Sequence, residues 1–369
     1  MKKLLAALLA ALLVSAMAGC QSQAETFELA LVTDIGTIDD KSFNQGAWEG
    51  IEKYAQENNK TYRYFQPQEQ SMASYNQMID LAVESGAKIV VTPGYLFENS
   101  IHKAQAQYPD VNFILIDGAP HNVTNAETNE TYDGAPIDRT IAPNTYSIFF
   151  KEEQAGFLAG YAAVKDGYKK LGFMGGMAVP AVVRYGYGFV QGADYAAKEM
   201  GAADIDILYH YTGDFRATPE VQTKAASWYG KGVEAIFACG GQLGDSVMEA
   251  AKKANTAVIG VDVDQSSLSD SVITSAMKNI TQSVYDAIKA YYGGSFPGGR
   301  TDSLGAEAND VGLPMATSKF RAFAQADYDR IFNMLKDDTG GLASSIKKDD
   351  GAASVEALGV ANAIVNEEK

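Results

Sequence analysis

From residue 28 onward the chain alternates between two hydrophobic patterns. Short apolar runs predict strands at 29–33, 62–65, 89–92, 113–116, 146–149, 171–174, 205–209, 235–238, 258–261 and 272–275. Between them, apolar residues recur at helical spacing, as in Phe43, Ala47, Trp48, Ile51, Tyr54 and Ala55, and again in Met78, Ile79, Ala82 and Val83. Uniformly apolar strands separated by helices indicate parallel sheets covered on both faces, an α/β fold.

The strand spacing adds a second level of order. Predicted starts at 29, 62, 89 and 113 are echoed at similar intervals by starts at 171, 205, 235 and 258. The strand ends also correspond: Val91-Thr92-Pro93-Gly94 parallels Ala238-Cys239-Gly240-Gly241, and Ile116-Asp117-Gly118 parallels Val261-Asp262-Val263. Two similar doubly wound domains facing each other are the economical reading.

Composition narrows the function. The 369 residues are 46% hydrophobic and 21% charged, enough for two sizeable cores. A formal net charge of −16 argues against a broad grip on polymeric nucleic acid, though not against a single nucleoside or base. Cys20 and Cys239 are the only cysteines, which excludes a disulfide framework and a cysteine-built zinc site. His102, His121 and His210 lie far apart in sequence and offer no metal-binding spacing, so no metal and no cofactor is expected.

The N-terminus predicts export. Lys2 and Lys3 precede an uncharged Leu/Ala/Val run at 4–14, too short to span a bilayer as a helix, which needs about 20 residues. Ser15-Ala16-Met17-Ala18-Gly19-Cys20 follows and resembles a bacterial lipobox, in which the cysteine is lipidated; Met17 stands where that pattern prefers Leu. Residues 1–19 are expected to be removed, which takes the charge to −18 and leaves 20–26 as a lipidated tether. Cys239, in Ala-Ile-Phe-Ala-Cys, is expected to be an inert residue of a buried strand.

Open parallel sheets collect ligands beyond the carboxyl ends of their strands. Those ends carry Asp34, Gly94, Asp117, Gly175, Gly240, Asp262 and Lys278. Glycines admit a ligand close to the backbone, and aspartates accept hydrogen bonds from hydroxyls or amines. The segment from Asp34 to Gln45 is the most informative. Ser42-x-x-Gln45 reads as a capping box that opens a helix, with Phe43 and Asn44 in its first turn. Phe43 could stack on a flat ligand or serve as a packing staple. Asn44 could read a base edge, its amide rotating to suit oxo or amino groups, or assist the cap. Phe215, in Gly213-Asp214-Phe215, is either a second stacking ring or packing. Asp39-Asp40 reads as a solvated pair at a helix start, and Asp262 with Asp264 as a weak candidate cation site. Lys278 could hold Asp262 or a ligand oxygen, or be solvated.

Phosphate-loop, dinucleotide-fingerprint and Gly-x-Ser-x-Gly signatures are missing; Gly186-Tyr187-Gly188 with Gly192 has the wrong spacing for a dinucleotide fingerprint and lacks a preceding strand. No enzyme is expected.

Three segments carry a family resemblance: Val32-Thr33-Asp34 with Asp39 through Gly50; Phe150-Lys151-Glu152-Glu153-Gln154 through Tyr161; and Gly260 through Gln265 with Ser275-Ala276-Met277-Lys278. They resemble the basic membrane protein (Bmp) family of ABC-transporter substrate-binding lipoproteins, in its PnrA-like branch. The resemblance implies a type I periplasmic-binding-protein fold with a three-crossover hinge near 145, 265 and 305. The N-terminal domain would then comprise 27–144 and 265–304, and the C-terminal domain 145–264 and 305–369. It also implies capture of purine nucleosides (guanosine, inosine, adenosine), with riboflavin, a pyrimidine nucleoside or a sugar as alternatives. Phe43 and Phe215 would stack on the base, Asp34 and Asn44 would read its edge, and Asp117, Gly240, Asp262 and Lys278 would surround the ribose. Gly94 is expected at the site from its strand-end position. The expected partners are ABC permease subunits with a cytoplasmic ATPase, and a membrane reached only through the lipid. The expected state is a monomer.

Overall fold

The structure is a computed structural model that describes residues 26–202 and 204–368. The expected signal peptide and the lipidated Cys20 lie outside the described residues.

In the first lobe, β1 (Leu29–Val32), α1 (Phe43–Asn58), β2 (Tyr62–Phe65), α2 (Met72–Glu84), β3 (Ile89–Pro93), α3 (Glu98–Gln107) and β4 (Asn112–Ile116) alternate strictly. A short hairpin of β5 (Val123–Asn125) and β6 (Glu130–Thr131) leads to β7 (Thr145–Phe150). The second lobe contains α4 (Glu152–Lys165), β8 (Lys170–Gly175), α5 (Pro180–Met200), β9 (Ile205–Tyr211), α6 (Pro219–Gly230), β10 (Ala235–Cys239), α7 (Leu243–Ala254), β11 (Ala257–Asp262) and β12 (Val272–Lys278). The chain then returns through α8 (Ile280–Tyr292) and β13 (Arg300–Leu304) to the first lobe. It finishes in the second with β14 (Val311–Gly312), α9 (Gln325–Lys336), α10 (Leu342–Ser345) and β15 (Ala363–Glu367).

The first sheet is all parallel, in the order β13-β7-β4-β3-β1-β2. The second has the order β14-β12-β11-β10-β8-β9-β15 and is parallel except for β14. Period-2 alternation explains how each sheet carries two helical layers. In the first sheet Leu29, Leu31, Ile89 and Val91 face Ala47, Ile51 and Val284, whereas Ala30, Val32, Val90 and Phe113 face Tyr75, Ile79 and Ile101. In the second, Phe237 and Ile259 pack with Phe157 and Phe189, and Ile236 and Val258 with Trp228 and Val247.

All ten predicted strands are present. Two of the three expected crossing points shift. β7 pairs with β4, so 145–150 completes the first sheet; β12 pairs with β11, so 272–278 completes the second. The chain therefore crosses at Lys151, at Asn279 and after Leu304, rather than near 145 and 265. An apolar run signals burial in a sheet but not which sheet its backbone pairs with. The three crossings bond to one another: Lys151 N–H donates to Leu304 O (2.8 Å), Asn279 N–H to Asp310 O (2.8 Å), and Ala306 N–H to Gln154 Oε1 (2.8 Å). No helix among the described residues is long and apolar enough to cross a membrane.

Candidate ligand-binding cleft

Both sheets aim the carboxyl ends of their strands at a cleft between the lobes. The cleft encloses about 880 Å³ of space free of protein atoms, its open mouth included. All nine expected residues line it: Asp34, Phe43, Asn44, Gly94 and Asp117 from the first lobe, and Phe215, Gly240, Asp262 and Lys278 from the second. Gly175, by contrast, packs against Tyr211 and Val182 and is not part of the lining.

At the mouth of α1, the cap is not the one the sequence suggests. Ser42 occupies the N-cap position, but its side chain makes no capping bond. Asp40 does that work: Oδ1 accepts from the N–H groups of Ser42 (2.9 Å) and Gln45 (3.1 Å), and Oδ2 from Asn44 N–H (3.0 Å). Asp40 is therefore buried, not solvated, whereas Asp39 is exposed. The freed Ser42 hydroxyl crosses the cleft and donates to Asp262 Oδ2 (2.5 Å).

The same network fixes Asn44. Its Nδ2 donates to Asp34 Oδ1 (3.0 Å) and Asp40 Oδ2 (2.9 Å), and its Oδ1 accepts from Asp34 N–H (3.3 Å). Rotating the amide would set a donor against that N–H and an oxygen against two carboxylates. The expectation of an adaptable amide is thus corrected: Asn44 is locked. Asp34 Oδ1 also accepts from Gly36 N–H (2.6 Å), while its Oδ2 has no hydrogen-bond partner among the described residues. Burial pushes Asp34 up to about 6, against the pull of these donors.

At the centre of the cleft floor stands Lys278, its side chain 3% exposed. The ammonium donates to Asp117 Oδ2, which belongs to the other lobe, and to Glu152 Oε1 (3.2 Å). Asp262 Oδ1 lies 3.7 Å away, and the Phe43 ring centroid 4.5 Å away, within cation–π range. Burial opposes the ammonium charge, but Asp117, Glu152 and Asp262 hold its pKa above the ordinary lysine value. Burial pushes Asp117 up to about 7 despite Lys278, and its Oδ1 is buried without a partner. Tyr185 donates to Asp262 Oδ1 (3.3 Å). Asp117 (φ 55°) and Asp262 (φ 66°) both adopt the left-handed region, at a cost of about 1 kcal/mol each. Such backbone concentrates at functional sites.

Phe215 is held where Gly176 and Gly240 leave room for it. A Cβ on Gly176 would lie 2.3 Å from its ring and one on Gly240 3.2 Å. Cys239 is buried as expected, but it also borders the cleft, and burial raises its thiol well above the usual value. Asp264 turns aside to accept from Thr317 Oγ1 (2.6 Å) and Ser266 N–H (3.0 Å), so it does not join Asp262 in a cation site. Among the described residues no group of three or more His, Cys, Asp or Glu side chains is arranged to hold a metal ion.

Sequence reasoning missed Asp40 as the cap, Ser42 as a cross-cleft donor, Glu152, and Tyr185. Glu152 sits in the second signature segment and is fully buried at the first turn of α4, a rare place for an unpaired carboxylate. A further reach across the mouth joins Gln242 Nε2 to Thr37 Oγ1 (3.3 Å).

Two lobes joined by three crossings, with a cleft between their strand ends where a few polar groups converge on a largely apolar lining, are the architecture of a protein that binds a small molecule between its lobes. Residues 27–337 match the family described as ABC transporter substrate-binding protein PnrA-like (Bmp), and the chain belongs to that family. It is 31% identical over 353 residues to the ABC transporter nucleoside-binding protein BmpA of Lactococcus lactis, covering 86% of this chain and 93% of that one. It is 30% identical to basic membrane protein B of Borreliella burgdorferi, covering 81% and 84%. A crystal structure of an ABC-transporter solute-binding protein from Aeropyrum pernix superposes with a TM-score of 0.68 at 24% identity, over 90% of each chain. The fold is the type I periplasmic-binding-protein fold. The chain is an extracytoplasmic substrate-binding protein, not an enzyme, and works with an ABC permease and its ATPase.

Proposed function

We propose that this protein captures purine nucleosides for import, anchored to the outer face of a membrane through a lipid on Cys20 and acting as a monomer. The observation that carries the reading is the pairing of an aromatic face with a charged, hydroxyl-accepting floor: the Phe43 ring beside Lys278, and Lys278 among Asp117, Glu152 and Asp262. Phe43 and Phe215 take the two faces of the base. Asp34, with its free Oδ2, accepts from the base edge, and the locked Asn44 holds it in place. Asp117, Asp262 and Lys278 take the ribose hydroxyls, while Gly94 and Gly240 keep the walls open. The nucleoside-binding name of the Lactococcus lactis relative supports this ligand class.

Titration calorimetry with guanosine, inosine, adenosine, cytidine, riboflavin and ribose tests the reading. Purine nucleosides are expected to bind at micromolar levels or better, about −8 kcal/mol or more favourable. Phe43→Ala should weaken them by about 1–3 kcal/mol, the usual contribution of a base–aromatic stack. Absence of purine nucleoside binding at millimolar concentration rejects the proposal, and an unchanged Phe43→Ala removes that ring from the site.

A further inference from the structure

From Lys278 on the cleft floor, a line of alternating charges runs back away from the cavity. Glu152 Oε1 accepts from Lys278, and its Oε2 accepts from Arg184 Nε (2.7 Å). Arg184 Nη1 reaches Asp349 Oδ2 at 3.4 Å and Oδ1 at 3.5 Å. Glu152 begins α4 directly after the first crossing, Lys278 ends β12 directly before the second, and Arg184 lies early in α5. Asp349 follows α10, beyond the residues 27–337 matched by the family. Neither Glu152 nor Arg184 lines the cavity.

The arrangement sets up a competition for one ammonium. Asp117, on the first lobe, and Glu152, on the second, both bind Lys278. Only the Asp117 bond spans the cleft and so favours the closed form. Glu152 can share Lys278 because Arg184 neutralises its other oxygen. Without Arg184, a fully buried carboxylate would have Lys278 as its sole counter-ion and would draw it off Asp117. We propose that Arg184, braced by Asp349, is a positioning residue that holds Lys278 on its bridge between the lobes and thereby sets how readily the cleft closes. The C-terminal segment is thus wired to the hinge whatever small molecule the cleft accepts.

The test compares the wild-type full chain with Arg184→Met, Arg184→Met/Glu152→Gln and Asp349→Lys. Small-angle X-ray scattering reads closure with and without guanosine, and calorimetry reads guanosine affinity. Arg184→Met should shift the ligand-free protein toward an open, larger radius of gyration and weaken guanosine by about tenfold or more. Adding Glu152→Gln removes the charge that needed Arg184, so the double variant should recover most of both losses. Simple loss of packing would instead add to the damage. Asp349→Lys, at a partly exposed site, sets a second cation against Arg184 and should open the molecule even if Arg184→Met fails to fold. Wild-type scattering from both Arg184→Met and Asp349→Lys overturns the proposal, as does a double variant no more closed than Arg184→Met. If the wild type binds no guanosine, the nucleoside reading fails, while ligand-free scattering still decides the role of Arg184.

Discussion

At the scale of single residues, Asp34 makes the sharpest prediction. It is raised to about 6 chiefly by burial, countered by the Gly36 N–H and the Asn44 amide, with the Asp40 charge adding to the rise. Tyr75 also senses its charge. A base that presents N1–H needs the ionised carboxylate, so a proton on Asp34 competes with it. The Asp34 contribution to inosine affinity should hold above pH 6 and fall below it, by up to roughly tenfold per pH unit. Adenosine, with an acceptor at N1, should not share that fall. Asp117, pushed up to about 7, titrates nearby, so Asp34→Asn is the control: whatever slope it retains belongs to the floor. Calorimetry with inosine at pH 7.5 and pH 5.0 checks this, and a flat profile would exclude Asp34 as the base reader. The stability sign follows from the same shift. A carboxyl at about 6 when folded and about 3.9 when unfolded binds its proton more tightly in the native state. Its ionisation destabilises the fold as pH rises through that window, a cost accepted where a ligand is to be read.

At the scale of elements, α4 and α5 explain a glycine motif that has the wrong spacing for a dinucleotide fingerprint. Gly156 and Gly160 on α4 meet α5 backbone to backbone: a Cβ there would lie 2.1 Å from Tyr185 O and 2.0 Å from Phe189 O. Gly188 and Gly192 on α5 reciprocate, at 2.0 Å from Glu153 O and Phe157 O. Backbone cannot yield as a flexible side chain can, so Gly160→Ala should cost about 3 kcal/mol or more in urea unfolding. A loss under about 0.5 kcal/mol, the size of an ordinary surface change, would mean the helices part easily. This contact places Glu152 and Arg184 side by side. The glycines were visible in the sequence, but their purpose was not, because helix contact leaves no signature beyond small residues four apart. The central strands were legible because burial on both faces writes continuous apolar runs. β13 was not, since Arg-Thr-Asp-Ser-Leu is an edge strand held by backbone pairing to β7. The cleft followed the same division. Residues at strand ends could be placed from topology alone. Glu152 and Arg184 could not, because a charged residue in a helix looks solvated until its partners are known.

At the scale of the whole molecule, the charge of −16 and the closed cleft make separate statements that one measurement can pull apart. Lys41 and Asp245 span the mouth at 3.5 Å, but their side chains are 45% and 43% exposed, and such pairs contribute little and are screened by salt. The bonds that hold the lobes together at the floor, Lys278 to Asp117 and Ser42 to Asp262, are buried beyond the reach of mobile ions. A neutral nucleoside feels no long-range attraction to an acidic protein, and closure rests on bonds that salt does not weaken. Guanosine affinity and association rate should therefore stay within about twofold between 0.05 M and 0.5 M NaCl. A polyanion or a charged ligand would instead give a steep dependence on salt. Stopped-flow fluorescence and calorimetry at the two salt levels decide the matter. A strong fall with salt would move the weight of recognition from the buried floor to the exposed rim, and with it the role assigned to Lys278.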